Sequence, residues 1–198
     1  MKPVAEACLR NQAPIAEAVR EPFANVKTVL EIGAGTGQHA VYIAERMPHL
    51  QWLPTDLAEA LPGICAWVEE AGLDNLLPPK ALDVTAGDWG LTEIFDAAYT
   101  SNTLHFIGWT PVEALFAGVA KRLHVESPFC VYGPFNENGA FTSLGNQGLD
   151  EWVKTRDPDA GLKDLADIEA LALRYGFKLE NLKRLPANNL LLVFCFEG

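Results

Sequence analysis

A glycine-rich segment between a strand-like run and a helix-like run most strongly restricts the folds open to this 198-residue chain. The apolar run Val26–Gly33 predicts a buried strand, and it passes into the segment EIGAGTG at positions 31–37. Apolar residues then recur at spacings of three and four through Gly37–Met47, which predicts a helix. A strand, a glycine turn and a helix in this order are typical of nucleotide-binding α/β folds, because glycine lets the backbone approach a ligand closely.

The rest of the chain continues this alternation of short strands and helices. Further strands are expected at Leu50–Asp56, Leu76–Val84, Phe95–Asn102 and Ser127–Tyr132, and further helices at Leu57–Ala71, Pro111–His124 and Leu162–Tyr175. Such alternation predicts βαβ units, and therefore a parallel sheet with helices on both faces. The last two runs, Phe177–Leu185 and Asn189–Phe196, are joined by a short link at Pro186 and Ala187. A link this short permits antiparallel pairing but no parallel crossover.

The length of the chain predicts one domain over residues 1–198. Residues 1–25 are expected to form an N-terminal arm or helix, with Pro14 at the start of the helix and Arg10 and Asn11 before it. Residues 133–161 are long for a loop and rich in Gly and Asn, which indicates a lid-like segment. Within it, a short helix is expected at Asp150–Thr155.

Charge and composition narrow the possible partners. The chain has 15 Lys and Arg against 26 Asp and Glu, a net charge of −11, which disfavours nucleic acid as a partner. No apolar run approaches the ~20 residues of a membrane span, and the first ten residues lack the apolar core of a secretory signal. The cysteines show no zinc-ligand spacing and are expected to be reduced and mostly buried: Cys8, Cys65, Cys130 and Cys195. We therefore expect a cytoplasmic protein without a structural metal.

The spacing of the glycines separates two classes of cofactor. A dinucleotide site of the form G-x-G-x-x-G would have its third glycine at position 38, which is Gln38 here. Glu31 lies two residues before the first glycine, where its charge would repel a pyrophosphate but would suit a ligand that carries an amine. The backbone of Gly33, Ala34, Gly35 and Gly37 is then expected to contact the cofactor, unless the turn is only a tight connection.

Three residues after the next two strands complete this pattern. Asp56 ends the second strand and is placed to accept hydrogen bonds from both ribose hydroxyls, unless it only caps the following helix. Asp83 and Val84 follow the third strand and would offer adenine an acceptor and an apolar wall, although Asp83 alone is equally well read as a surface residue. The pattern fits S-adenosylmethionine (SAM), which carries an ammonium and a sulfonium.

With these motifs, the chain resembles the class I SAM-dependent methyltransferase superfamily and, more narrowly, the methyltransferase-like 26 family (domain of unknown function 938). The narrower resemblance rests on these stretches: Arg10-Asn11 with Pro14-Ile15, EIGAGTGQHA at 31–40, LDVT at 82–85, Asn102 with Leu104-His105, YGPF at 132–135, RDP at 156–158 and PANNLLLVF at 186–194. It implies a Rossmann-like sheet of seven strands in the order 3-2-1-4-5-7-6 with the last strand antiparallel, SAM binding and methyl transfer. Glu6–Leu9 stands where that family's pattern has a Ser-Pro-like opening.

Candidates for contact with the methyl acceptor follow the fourth and fifth strands, because open α/β sheets bind ligands at the carboxyl ends of their strands. Asn102 is expected to meet the cofactor or the acceptor, and His105 is a possible base or a structural histidine. Four residues are expected either to form one wall of the acceptor-binding site or to pack in the core: Tyr132, Pro134, Phe135 and Asn136. Trp109 would cover the pocket or pack at a helix start, Arg10 would pair with the cofactor carboxylate or lie in solvent, and His39 is expected to pack within its helix.

We therefore expect a SAM-dependent methyltransferase that acts on an unidentified small molecule. No catalytic residue is assigned, because displacement at a sulfonium depends chiefly on alignment and exclusion of water. One alternative is a non-catalytic module that binds SAM or S-adenosylhomocysteine (SAH). A less favoured alternative, an NAD-dependent oxidoreductase, would require the G-x-G-x-x-G spacing and usually a Tyr-x-x-x-Lys pair, and neither is found. The acceptor and the oligomeric state stay open.

Overall fold

Seven strands form one mixed sheet in a computed structural model that describes residues 2–198. The strands are β1 (Thr28–Ile32), β2 (Gln51–Asp56), β3 (Lys80–Ala81), β4 (Ala97–Ser101), β5 (Pro128–Pro134), β6 (Phe177–Leu185) and β7 (Asn189–Phe196). They are ordered β3-β2-β1-β4-β5-β7-β6. β7 runs antiparallel to both β5 and β6, and every other pair is parallel. The predicted strand order and the antiparallel last strand are confirmed.

Helices cover both faces of this sheet. They are α1 (Glu6–Arg20), α2 (Gln38–Arg46), α3 (Leu61–Ala71), α4 (Trp109–Ala120), α5 (Leu144–Lys154) and α6 (Leu165–Arg174), with 3₁₀ turns at Leu104–Phe106 and Pro186–Asn188. α1 and α2 bury their apolar residues on one face, around Trp52 and Tyr99. α4 and α6 pack on the other face, around Phe116 and Phe129. Burial of these two apolar layers is the main stabilising contribution to the fold.

Several boundaries differ from those expected. The third strand shrinks to Lys80–Ala81, because the prolines at 78 and 79 have no N–H to donate to a sheet. Helix α1 begins at Glu6 and contains Pro14, so the prediction that Arg10 and Asn11 precede the helix is wrong. Packing of its buried residues against the sheet offsets the one hydrogen bond that proline removes.

The segment after β5 and the cysteines also depart from expectation. Helix α5 begins at Leu144, six residues before the expected start at Asp150, because the Oγ of Ser143 accepts a hydrogen bond from the Asn146 amide and caps the helix. The link between β6 and β7 includes Asn188, which has a positive φ. All four cysteines are free, but only Cys130 is fully buried. Within residues 2–198, no helix has the length and hydropathy that a membrane span requires.

Candidate functional site

The glycine loop leaves the carboxyl end of β1 and turns directly into α2. Its three glycines all have positive φ, between 60° and 87°, a region that glycine enters without steric cost. The amides of Gly33 and Ala34 both donate to the carbonyl oxygen of Thr55 at 3.0 Å. The loop is therefore tied to the end of β2, which carries Asp56.

The space around Gly33 and Gly35 differs, and this difference gives a test of the loop. A Cβ at Gly33 would lie 2.5 Å from the Oγ1 of Thr103, whereas nothing lies within 4 Å of one at Gly35. We expect Gly33→Ala to lower the free energy of unfolding by about 2–4 kcal/mol, from steric overlap and backbone strain together. Gly35→Ala should cost about 1 kcal/mol, from strain alone. Urea denaturation of both variants checks this order, and equal losses would contradict the geometry.

Asp56 connects the glycine loop to the second strand. Its Oδ2 accepts a hydrogen bond from the Gly35 amide at 2.6 Å, and its Oδ1 accepts one from the Leu57 amide at 2.7 Å. Burial raises the pKa of this carboxyl, although both backbone hydrogen bonds lower the pKa. A carboxylate has about four acceptor positions, so Asp56 can still accept hydrogen bonds from ribose hydroxyls.

Asp83 and Val84 lie beyond the third strand, at the same edge of the sheet. The Asp83 side chain is exposed and accepts hydrogen bonds from the amide and the hydroxyl of Thr85, at 2.8 and 2.7 Å. These bonds lower the pKa of Asp83. Val84 is half-buried against the core. The structure therefore gives Asp83 a local structural role, with part of its carboxylate still open to solvent.

Glu31 is buried on the face of the sheet that α1 and α2 cover. Its side chain is 1% exposed, and its Oε2 accepts a hydrogen bond from the Nε1 of Trp52 at 2.8 Å. Burial raises the pKa of Glu31 to about 7; the Trp52 bond lowers this pKa, and the charge of Asp56 raises it further. A carboxylate held this deep without a cationic partner among residues 2–198 is costly, unless a ligand supplies the cation.

Asn102 and His105 both lie beside Gly133 of β5. Asn102 has a φ of 54°, and its amide donates to the carbonyl oxygen of Tyr132 at 2.8 Å. The His105 Nδ1 lies 3.8 Å from the position of a Cβ built on Gly133. Burial, aided by the charge of Lys163, lowers the pKa of His105 to about 4. His105 is therefore neutral at physiological pH.

The four residues proposed as an acceptor wall do not share one surface. Tyr132 packs among the residues under α1, whereas Phe135 belongs to the core on the opposite face. Asn136 pairs through its backbone with Lys163 and Leu165, and its Oδ1 has no hydrogen-bond partner among residues 2–198. Trp109 is partly exposed at the start of α4.

Helix α1 contributes Asn11 to the site, where it lies next to His39. The sequence pattern did not suggest this pair. The Asn11 Oδ1 lies 2.8 Å from the His39 Nε2, and the Ser101 Oγ lies 2.9 Å from the His39 Nδ1. Burial lowers the pKa of His39 to about 4, so the neutral ring joins α1 to the end of β4. Arg10 is exposed on the outer side of α1. No sequence signal marks this network, because it depends on how α1 sits on the sheet.

An open cleft of about 520 Å³ lies between the glycine loop and the start of α3. It is lined by Gly35 and Thr36 from the loop, by Glu59 and Ala60 before α3, and by Pro3. Within residues 2–198, no group of three His, Cys, Asp or Glu side chains is placed to hold a metal ion. One cationic side chain, Lys2, also lines the cleft and pairs with Glu70. The other ligand-binding features of this edge are carboxylates, backbone amides and uncharged polar side chains.

Solved structures of methyltransferases share this fold. An O-methyltransferase family protein from Burkholderia thailandensis superposes with a TM-score of 0.85 at 14% identity, over 98% of this chain and 58% of that one. The S-adenosylmethionine-dependent methyltransferase SibL gives 0.80 at 18% identity, over 96% and 56%. PigF, solved with SAH, gives 0.80 at 15% identity, over 94% and 56%. This chain spans little more than half the length of these proteins, and at such identities the likeness shows the fold alone.

One family model matches almost the whole chain. It covers residues 2–195, and its description is "Protein of unknown function (DUF938)". That description assigns no activity.

Proposed function

The chain belongs to the family described as "Protein of unknown function (DUF938)", and from that premise we propose that it is a SAM-dependent methyltransferase acting on a small molecule. The observation that carries the proposal is the 2.6 Å hydrogen bond between the Asp56 carboxylate and the Gly35 amide. This bond joins the Asp56 carboxylate, our candidate for binding the ribose, to the glycine loop. Glu31 lies beneath the same loop, and its ionised form would repel a diphosphate and attract a cationic nucleoside.

The residues of this edge fit SAM part by part. Asp56 would hold the ribose hydroxyls, and Asp83 with Val84 would border the adenine. The loop residues Gly33, Ala34, Gly35 and Gly37 would approach the amino-acid end, with Glu31 beneath them. Asn102, at the end of β4, would contact the cofactor from the other side, and Arg10 would need a rotation of its exposed side chain to reach the carboxylate. The methyltransferase-like 26 family is the narrower assignment that we propose.

SAM, when bound, supplies a methyl group on a sulfonium that is already activated for transfer. The chain's own task is then to align an acceptor and to exclude water. His105 can accept a hydrogen bond from the acceptor, but a pKa of about 4 makes it a weak base. This favours acceptors that are nucleophilic without strong base assistance. Tyr132 and Asn136 are further candidates for contact with the acceptor. Of the lid-like segment expected at residues 133–161, Gly133 and Pro134 belong to β5, and the remainder is the proposed lid.

Methyl transfer is tested by incubating the protein with SAM labelled in its methyl group and a pool of small metabolites. We expect a labelled product and SAH by mass spectrometry, and neither from an Asp56→Ala variant. The alternative is a non-catalytic SAM-binding or SAH-binding module. SAM binding without labelled product in any pool would support that alternative and reject the enzyme.

A further inference from the structure

A short extended segment ahead of α1 forms one wall of the cleft beside the glycine loop. It consists of residues 2–5, which we call the strap. Lys2 and Pro3 of the strap line the cleft of about 520 Å³, together with Gly35 of the glycine loop. The Gly35 amide also donates to the carboxylate of Asp56, the candidate for binding the ribose. We therefore expect a nucleoside held by Asp56 to lie next to the strap.

Trp67 of α3 holds the strap through two contacts. Its Nε1 donates to the Pro3 carbonyl oxygen at 2.7 Å, and the Lys2 ammonium lies 3.6 Å from the centroid of its ring. Lys2 also pairs with Glu70, three residues further along the same helix. The face of an indole ring attracts a cation, and its N–H is a hydrogen-bond donor. Trp67 therefore binds both the charge and the backbone of the strap.

The strap fits closely against α3 because the helix has a glycine where the two meet. Gly63 lies four residues before Trp67, and a Cβ built on it would lie 2.7 Å from the Cγ of Pro3. Residues four apart on a helix are surface neighbours, so Gly63 and Trp67 form a shallow groove that Pro3 fills. A side chain at position 63 would exclude the strap from this groove.

The other end of the strap is tied to the glycine loop through Gln38. The Ala5 amide donates to the Gln38 Oε1 at 2.6 Å, and the Thr36 hydroxyl donates to the same oxygen at 2.9 Å. Ala5 precedes α1 without a side-chain cap, and an uncapped helix start opens at lower cost than a capped one. The position of the strap is therefore coupled to that of the loop.

We propose that the strap is a gate of the nucleoside site: attached to α3 it retains the bound nucleoside, and detached from α3 it lets the nucleoside leave. The proposal rests on the proposed function, which places SAM on the glycine loop. Trp67 is not among the residues that line the cleft. It is therefore a positioning residue, which acts on the ligand only through the strap.

The test measures how fast SAH binds to and leaves the immobilised protein, by surface plasmon resonance. A Trp67→Phe variant keeps a ring in place but removes the hydrogen bond to Pro3 and weakens the attraction for Lys2. We expect SAH to leave this variant about 10-fold faster, with an association rate that changes less than about threefold. Tyr42→Phe is the control, because that ring also carries a cation, the Arg46 guanidinium at 3.4 Å, but on α2. It should change neither rate.

A Gly63→Ala variant detaches the strap by a different change. Alanine favours a helix over glycine, so α3 should stay folded, which circular dichroism and the melting temperature verify. The added methyl group displaces Pro3, and SAH should leave at least about fivefold faster. Combining Gly63→Ala with Trp67→Phe should add less than about twofold to the dissociation rate, because both changes break one attachment. Effects that multiply in the double variant would show that alanine at 63 acts directly on the ligand and would count against the gate.

Hydrogen exchange of the Ala5 amide, followed by NMR, reports on the strap without a ligand. Exchange should be faster in both single variants than in the unaltered protein, and slower in the unaltered protein once SAH is bound. An Ala5 exchange rate that neither variant nor SAH alters would overturn the gate.

The kinetic outcomes separate the gate from the proposed function. Faster release from both variants supports the gate, and so does SAH binding seen in the variants alone, because a closed strap then blocks the empty site. SAH that binds all proteins and leaves them at one rate overturns the gate and leaves the proposed function intact. Absence of SAH binding to every protein rejects the proposed function and the gate with it.

Discussion

Replacement of Glu31 by glutamine is expected to raise the free energy of unfolding by about 2–3 kcal/mol at pH 8. The folded protein raises the pKa of Glu31 from 4.5 to about 7. The folded state therefore binds this proton more tightly than the unfolded state, and ionisation of Glu31 opposes folding. The contribution of Glu31 to the free energy of unfolding is therefore most favourable below pH 4.5. It declines as the pH rises to about 7 and is constant above pH 7. Glutamine avoids the ionisation and keeps an oxygen for Trp52.

The pH dependence distinguishes this explanation from a general packing effect. At pH 5 the free energies of unfolding of the variant and the unaltered protein should differ by less than about 1 kcal/mol. At pH 8 the melting temperature of the variant should be roughly 5–10 °C higher than that of the unaltered protein. The groups whose charges act on Glu31 or respond to it are Asp56, Cys8 and Tyr99. Glu180→Gln, on the exposed strand β6, is the control and should have little effect. A Glu31→Gln variant that is less stable at pH 8 would show that the carboxylate is a structural requirement.

A residue that destabilises the free protein is retained when it serves a ligand. The same Glu31→Gln variant is therefore expected to lose affinity for SAH. Because an ammonium ligand favours the ionised carboxylate, SAH should bind more weakly as the pH falls below 7. Calorimetry at pH 6 and pH 8 measures this change, and an affinity that is independent of pH would remove Glu31 from the binding site.

Replacement of Asp56 by alanine is expected to weaken SAH binding roughly 100-fold or more. Each hydrogen bond from a ribose hydroxyl to a carboxylate contributes about 1.5–3 kcal/mol, and two are lost. In the unaltered protein the Gly35 amide donates to this carboxylate at 2.6 Å. The variant removes that hydrogen bond, so the loop loses part of its order. Asp56→Asn keeps one acceptor oxygen, so its affinity for SAH should lie between those of Asp56→Ala and the unaltered protein.

Asp83 offers a matched comparison at the next strand. Its carboxylate is exposed and already serves Thr85, so Asp83→Asn should weaken SAH binding by less than about fivefold. Both affinities are measured by calorimetry, with melting temperatures to verify folding. An Asp56→Ala variant with unchanged SAH affinity would show that the acid at the end of β2 does not hold the ribose.

The alternating α/β architecture could be predicted from the sequence because local patterns and topological rules agree, whereas the strand order was implied by the resemblance to class I methyltransferases. The glycine loop after an apolar run identified β1 and α2, and the short link after Leu185 required an antiparallel hairpin. The boundaries of α1 and β3 were less predictable. Burial of one helix face overrode the local effect of Pro14 in α1, and two prolines shortened β3 to two residues.

The candidate site was predictable only where it depends on residues next to a strand end. The selection of Glu31, Asp56 and Asn102 as candidates follows from their positions next to strand ends. The contacts of Asn11 with His39, and the approach of Tyr99 to Glu31, depend on strand register and on where α1 packs. One residue of register shift would move Tyr99 to the opposite face of the sheet. A single sequence does not fix either quantity, which is why these contacts emerge only from the structure.

The central claim is that the glycine loop with Asp56 binds a cationic amino-acid nucleoside and rejects a dinucleotide. Its most direct test is a pair of calorimetric titrations of the unaltered protein, one with SAH and one with NAD. We predict saturable binding of SAH at one site in each chain and no saturable binding of NAD. Saturation with NAD and no heat from SAH would contradict the account.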